Sequence, residues 1–566
     1  MIVDAVTIVC SFAPTYDFSI QFGSLGCHWA RSFAVHPEDV MSRFVFGVVA
    51  ACCLVSTAAA PAATYYLATD GRDTNAGTKA RPWQSLQFAS GKVAPGDVVK
   101  LKPGVYRQLT VVIGCEGTAK KKIVFEADGG KVTLDGSVTV GGSDWRHEGQ
   151  ARYSVQVGDR HIYTVWAKER MLLGPTFHYS GKYAKVKYTP ATLRRGQCLV
   201  VGGRLHVRLF DDSDPAKANV RISHGHCLLL QRTHHTVWRG IGTAWGLNGY
   251  KLEFGSSHNL FTDAELSYHA QGVLETGKYG KYLASHHNTF RRLHIHHIGL
   301  NMYEHGIYTD GVDTVILRCR FDHISGAAIH AYPRPLRGIY EGNRITSPWP
   351  SWYPEHFIGE EPPDARSYYS AIICWGRGGH RLTNNLIAGP FRNGISVRAN
   401  DCRFVNNTIV LTDGLGWFLD AGNCQLANNF TQTKGSYLSS DGPVALDHNG
   451  YYGGKSWRIG KETHTTFAAL QVAGHEQHGV EADPCFVDAK AEKYGLAPDS
   501  PLRDIGSVKA APSTDINGTR RPQGKRIDLG AYEAATECCG VGDEPNQQRA
   551  KTAVRKYPTP MDSTSS

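Results

Sequence analysis

Tyr308, Asp310, His330 and Tyr332 fall in two short segments that start 22 residues apart, GIYTDG (306–311) and AIHAYP (328–333). Asp and His can exchange protons near neutral pH, and a tyrosine hydroxyl can deliver one to a leaving oxygen. Two more segments of the same form, AIICWG (371–376) and GISVRA (394–399), put Trp375 and Arg398 at the place held by Asp310 and Tyr332. Aromatic faces suit sugar rings, and a guanidinium fork suits a carboxylate. The catalytic candidates are therefore Asp310, His330, Tyr308 and Tyr332. The substrate-binding candidates are Trp375, Arg398, Glu275 of GVLETG (272–277), and Trp352 of a Pro-rich aromatic stretch at 346–370.

These residues can act together only if the chain stacks them. A second motif with Asn before x-Ile recurs in YEGNRI (340–345), LTNNLI (382–387), FVNNTI (404–409) and, in part, LANNFT (426–431). Asn385, Asn407 and Asn429 are 22 residues apart in turn, and the 42 residues from Asn343 to Asn385 hold one coil plus an insertion of about twenty. A period near 22 with short apolar strands fits one rung of a parallel β-solenoid. A rung cannot bury its own inner face, so rungs stack at about 4.8 Å and the Asn side chains form an internal ladder. Alternation then sends Val273, Ile307, Ile329, Ile372, Ile395 and Trp417 inward. Tyr308/Asp310, His330/Tyr332, Ile373/Trp375 and Ser396/Arg398 face outward as one stripe. A solvated sheet face with scattered aromatics is the plain alternative.

That geometry limits the chemistry. Asp310 and Asp420 are four rungs apart, roughly 19 Å, whereas a glycosidase needs its carboxylates about 5–9.5 Å apart. A hydrolytic Asp310 would need Glu275, Glu304 or Asp313 as its partner. Glu275 falls at an inward place, which a charge resists without a partner. The other chemistry is β-elimination from a uronate, with Arg398 on the carboxylate, His330 tuned by Asp310, and Tyr308 or Tyr332 delivering the proton.

Three regions carry a resemblance to a known group. They are YYLATDGRDTNAGTKARPWQSLQFA (65–89) with VAPGDVVKLKPGVYR (93–107), the central HIHHIG (294–299) with HGIYTDG (305–311), and the ending ADPCFV, SPLRDIG and DINGTRRPQGKRIDLGAYE (515–533). Together they resemble the secreted right-handed parallel β-helix proteins of the pectate-lyase-like superfamily, across most of residues 64–533. The resemblance implies an all-β solenoid. It also implies a secreted or periplasmic carbohydrate-active enzyme, a polysaccharide lyase or glycoside hydrolase, acting on an extracellular polysaccharide. A non-catalytic glycan-binding or surface-structural solenoid is the alternative, since one fold hosts many reactions.

The formal charge of +10 is spread along the chain and agrees with an acidic polymer. No nucleic-acid module is visible and no cofactor is expected; calcium is the open alternative, with no dense Asp/Glu cluster to support it. His286-His287 and His294, His296-His297 lack zincin spacing, and alternation divides HIHH between two faces, so no metal is expected. Residues 1–62 read as an upstream extension plus signal peptide, with translation starting at Met41 and the mature chain near Ala63. Cys52 offers a minor lipoprotein alternative. Residues 63–142 read as N-terminal rungs, 143–225 as a β-rich insert, 226–533 as the main helix with its closing segment, and 534–566 as a disordered tail. The mature chain shows no transmembrane segment and is expected to be a monomer. Cys402 and Cys424, 22 residues apart, stack closely enough for a disulfide or for a pair of reduced thiols.

Overall fold

The computed structural model describes residues 7–11, 17–21 and 61–535, apart from 159–160, 173, 175–188, 279–282, 300–302, 349–366 and 510. The chain divides into two units at Pro61. In the first, Thr7–Ser11 pairs antiparallel with Asp17–Gln21. The expected leader at 41–60, Cys52 and most of the tail lie outside the described residues. No helix among the described residues is long and apolar enough to cross a membrane.

In the second unit the chain winds through three sheets of twelve strands each among the described residues. Sheet I takes strands such as Gln271–Glu275, Ile307–Thr309, Ile329–Ala331, Ser367–Trp375 and Phe391–Arg398. Sheet II takes Thr289–Arg291, Val315–Leu317 and Ile339–Glu341, and sheet III takes His294–Ile298, Arg320–Ile324 and Arg344–Thr346. Each coil visits I, II and III in that order, and neighbours within a sheet are parallel apart from the terminal hairpin Trp457–Ile459 with Glu462–His464. The inward column Val273, Ile307, Ile329, Ile372, Ile395, Trp417 is in register and buried throughout, as alternation requires. Sheet II fills the interior with a ring stack, Phe125–Trp238–Phe261–Phe290, at centroid separations of 4.2, 6.3 and 5.4 Å.

The turn from sheet II to sheet III explains the Asn-Asn pairs. Asn384, Asn406 and Asn428 have φ of +53°, +54° and +57°, a left-handed conformation that Asn tolerates better than most residues. Their side chains point away from the core and bind the closing segment: Asn384 donates to Thr514 O, Asn406 to Asp528 O and Gly530 O, and Asn428 to Ser507 O. The second Asn of each pair turns inward. Asn343, Asn385, Asn407, Asn429 and Asn449 form one continuous ladder, each side-chain amide donating to the next Oδ1 at 2.9–3.0 Å.

The donating end of this ladder needs an acceptor, while at the other end Asn343 Oδ1 accepts from Cys319 N at 3.0 Å. Glu476, fully buried, closes the long ladder by accepting from Asn449 N (3.0 Å), Asn449 Nδ2 (2.7 Å) and the Tyr451 hydroxyl (2.7 Å). Burial raises its carboxyl from 4.5 to about 7. The folded state then holds more protons than the unfolded one between those values, so this contribution is present below about 4.5 and is lost as pH rises through 7. Urea unfolding of the wild type and of Glu476→Gln at pH 5 and pH 8 should show a falling component of stability that the variant lacks. Parallel profiles would refute it.

The insert begins slightly earlier than the sequence pattern indicated. Ser137–Thr139 already pairs with Arg221–Ser223, and two four-stranded antiparallel sheets follow. They have their own core around Val165, Leu172, Leu205, Val207 and Ile222, inserted between the sheet III strand Val132–Asp135 and the sheet I strand Leu228–Gln231. Cys402 and Cys424 are adjacent, buried and unbonded, and the Cys402 thiol donates to Ala399 O at 3.1 Å.

Candidate functional site

The outer face of sheet I carries the expected stripe. Cα register pairs Leu274 with Tyr308, Tyr308 with His330, His330 with Ile373, Ile373 with Ser396, and Ser396 with Phe418. Two positions along, Trp375 pairs with Arg398. The rings assemble accordingly. Tyr308 lies 5.1 Å from His330, Tyr332 lies 5.5 Å from His330 in a stacked arrangement, and Trp375 stands 5.6 Å from Tyr332 and 6.1 Å from His330, both edge-on. The Arg398 guanidinium sits 4.4 Å from the Trp375 ring centre and 3.3 Å from Asp420 Oδ2. Tyr332 is 39% exposed, whereas His330 beneath these rings is 6% exposed.

His330 is oriented by His305, not by Asp310. Ala327 N donates to His305 Nδ1 at 3.0 Å, so the neutral His305 ring carries its hydrogen on Nε2. That Nε2–H donates to His330 Nδ1 at 2.7 Å, which leaves the hydrogen of His330 on its own Nε2. Burial pushes His330 down to about 3 and His305 well below the usual range, so both are neutral at pH 7. His330 therefore carries its hydrogen on Nε2, buried beneath these rings, and is not poised to take up a proton.

Asp310 is also engaged. Its Oδ1 accepts from Arg334 N at 2.7 Å and its Oδ2 from Arg334 Nη2 at 3.0 Å. It is 6% exposed and packs so tightly on Gly277 that a Cβ there would collide with Oδ2. The carboxylate fixes the segment after Tyr332 rather than standing open on the stripe, which corrects its expected role as a free acid or as the tuner of His330.

Glu275 is a second correction. It is 0% exposed inside the coil, with Oε2 accepting from the Thr309 and Thr314 hydroxyls at 2.6 Å each and Oε1 from Asn288 Nδ2 at 2.8 Å. Asn288 in turn accepts from Asn259, so Glu275 ends a shorter ladder at the turn from sheet I to sheet II. Burial raises its carboxyl, against the three hydrogen bonds. Alternation put this side chain inside, and three donors make the position tolerable, so it cannot reach a ligand on the outer face. Trp352 and most of the stretch 346–370 lie outside the described residues.

HIHH is a third correction. His294 and His296 share the outer face of sheet III, with ring centres 4.4 Å apart and Ile295 buried between them. At His297 φ is +54°, and its ring stacks on His323 at 4.6 Å while His296 and His297 Nδ1 atoms meet at 2.7 Å. The left-handed turn returns His297 to the side that strict alternation would have taken it from.

Two contributors were not singled out from sequence. His305 stands 25 residues before His330, about one coil, and that spacing was the available signal. Nothing in the sequence marks Arg334, whose reach depends on the turn at 332–334.

Residues 219–450 match the family model described as a right handed beta helix region. No curated protein matches the chain. Among solved structures it is similar to XylC in complex with xylose, at 12% identity and a TM-score of 0.50, over 83% of this chain and 98% of that one. It is also similar to pectate lyase Pel9A (14% identity, TM-score 0.45, 83% and 96% coverage) and to a glycoside hydrolase (12%, 0.44, 73% and 99%). Such identities speak for architecture alone. With parallel sheets stacked coil upon coil and the matched region at its centre, the second unit has the right-handed parallel β-helix fold expected from the sequence.

Proposed function

We propose that the chain is an exported enzyme that depolymerises an acidic polysaccharide by β-elimination on the outer face of sheet I. The observation that carries this reading is the cluster of Tyr308, His330 and Tyr332 beside Trp375 and Arg398. It offers a sugar-stacking surface, a cation for a uronate carboxylate and two hydroxyls within one compact group. Elimination needs the proton beside the carboxylate removed and one returned to the leaving oxygen. One tyrosine, as its phenolate, takes the proton from carbon as the C–O bond breaks and the C=C bond forms, and the other, as the neutral phenol, protonates the leaving oxygen.

Hydrolysis is less well served, because Asp310 is held by Arg334 and Glu275 faces inward. The same two engaged carboxylates favour a second reading, a glycan-binding solenoid without turnover. Incubation with polygalacturonate and alginate separates the three. A lyase creates an unsaturated product with new ultraviolet absorbance, a hydrolase creates reducing ends without it, and a binder is retarded in polymer-containing gels while producing neither. The ultraviolet product is expected, and its absence would remove elimination.

Arg398 should act mainly in binding. Arg398→Ala is expected to raise KM for a uronate polymer about tenfold, in keeping with a lost charge-assisted pair of about 1.5 kcal/mol, with kcat changed less. Equal losses for uronate and esterified polymers would show that Arg398 does not read the carboxylate.

A further inference from the structure

We propose that His258, His286 and His287, at the turn from sheet I to sheet II, form a site for a divalent transition-metal ion of the zinc class. The cluster lies apart from the ring group on sheet I and stands independently of the reading of that face.

His258 and His287 occupy the same turn position on successive coils, both with left-handed backbone, φ +57° and +53°. Their rings stack at 4.7 Å, and His286 stands edge-on to both, 5.4 Å from His258 and 5.1 Å from His287. One ligand nitrogen from each of the three lies within 4.8 Å of the others. The Nδ1 atoms of His286 and His287 approach to 2.9 Å. Two nitrogens bound at about 2.0–2.1 Å to a tetrahedral ion lie somewhat farther apart than that, so small ring rotations suffice.

A second observation points the same way. On the far side of the His287 ring, Nε2 lies 3.5 Å from Asp313 Oδ2, and Asp313 is itself clamped by Arg337 Nε and Nη2 at 2.7 and 2.6 Å. A carboxylate facing one imidazole nitrogen selects the tautomer that leaves the other nitrogen bare, the arrangement that orients metal-bound histidine. Imidazole sets suit zinc, copper and nickel rather than calcium.

Among the described residues, the two other clusters of this kind are already spoken for. Asp322, beside His296 and His297, accepts from His294, His323 and Arg320. Asp447, beside His448 and His478, accepts from the backbone N–H groups of both histidines.

The test is calorimetric titration of the chelator-stripped full chain with zinc chloride. One equivalent should bind with a dissociation constant in the micromolar range or below. His286→Gln should abolish that equivalent, His296→Gln should retain it, and Asp313→Asn should weaken it about tenfold or more by loosening His287. X-ray absorption of the zinc-loaded wild type, which needs no variant to fold, should show imidazole nitrogens at about 2.0–2.1 Å. No saturable binding, an oxygen-only shell, or an equivalent that survives His286→Gln would each overturn the proposal.

Discussion

Replacing Tyr332 with Phe is expected to lower kcat on a uronate polymer by about 10²–10⁴-fold with little change in KM, the range for loss of a positioned proton-transfer group. The ring remains, so stacking on His330 and the edge contact with Trp375 survive, and only the hydroxyl is removed. Tyr308→Phe should have a comparable effect, because elimination uses two proton transfers and Asp310, two residues along from Tyr308, is committed to Arg334. The pH profile adds a discriminating readout. His330 is neutral with its hydrogen on Nε2 and is pushed down to about 3, so no limb of the profile should move when His330 becomes Gln, although the rate should fall. A limb near pH 6.5 that vanishes in that variant would show His330 to be the base and would undo the tautomer chain from Ala327 through His305. Full activity in both tyrosine variants would remove the ring cluster as the reaction centre.

The fold was legible because stacking multiplies a weak signal. Val273, Ile307, Ile329, Ile372 and Ile395 each say little alone, but their spacing fixes both the sheet and its inner face, and the observed register follows it. The outward neighbours were legible for the same reason, so Tyr308, His330 and Trp375 do share one side. What the spacing could not convey was engagement. Asp310 and Tyr332 occupy equivalent outward places, yet Arg334 takes up the carboxylate while the phenol stays 39% exposed. That difference arises in the turn at 332–334, where no repeat constrains the chain. His297 shows the same limit from the other side: strict alternation fails wherever a left-handed residue ends a strand, and such residues recur at the turns of this helix. Glu275 is the instructive case. Its inward place was readable, and so was the difficulty of a charge there, but the three donors that resolve it lie further along, Asn288 at the next turn of the same coil and Thr309 and Thr314 in the following coil.

The largest loss of stability should come from the middle of the long ladder. Asn407 Oδ1 accepts from Asn385 N and Asn385 Nδ2 at 3.0 and 2.9 Å, while its Nδ2 donates to Leu382 O and Asn429 Oδ1 at 2.9 Å each. Asn407→Ala deletes all four bonds and strands groups of two neighbouring coils away from water. At about 1–3 kcal/mol for each buried group left unsatisfied, a loss of roughly 3–5 kcal/mol is expected. Alanine alone cannot separate hydrogen bonding from the small cavity it leaves. Asn407→Asp can, since it keeps the shape and the accepting oxygen but removes the donating amide. The introduced carboxylate oxygen would face Leu382 O and Asn429 Oδ1 in a dry interior, so the aspartate variant should be destabilised at least as much as alanine at pH 7. It should recover partly at low pH, where a protonated carboxyl can donate one of the two lost bonds. Urea midpoints at pH 7 and pH 5, with the exposed Arg403→Ala as the reference for an ordinary surface change, read this directly. An aspartate variant as stable as wild type would mean that the amides stack for shape alone, and that the directional chain from Asn343 to Glu476 does not hold successive coils in register.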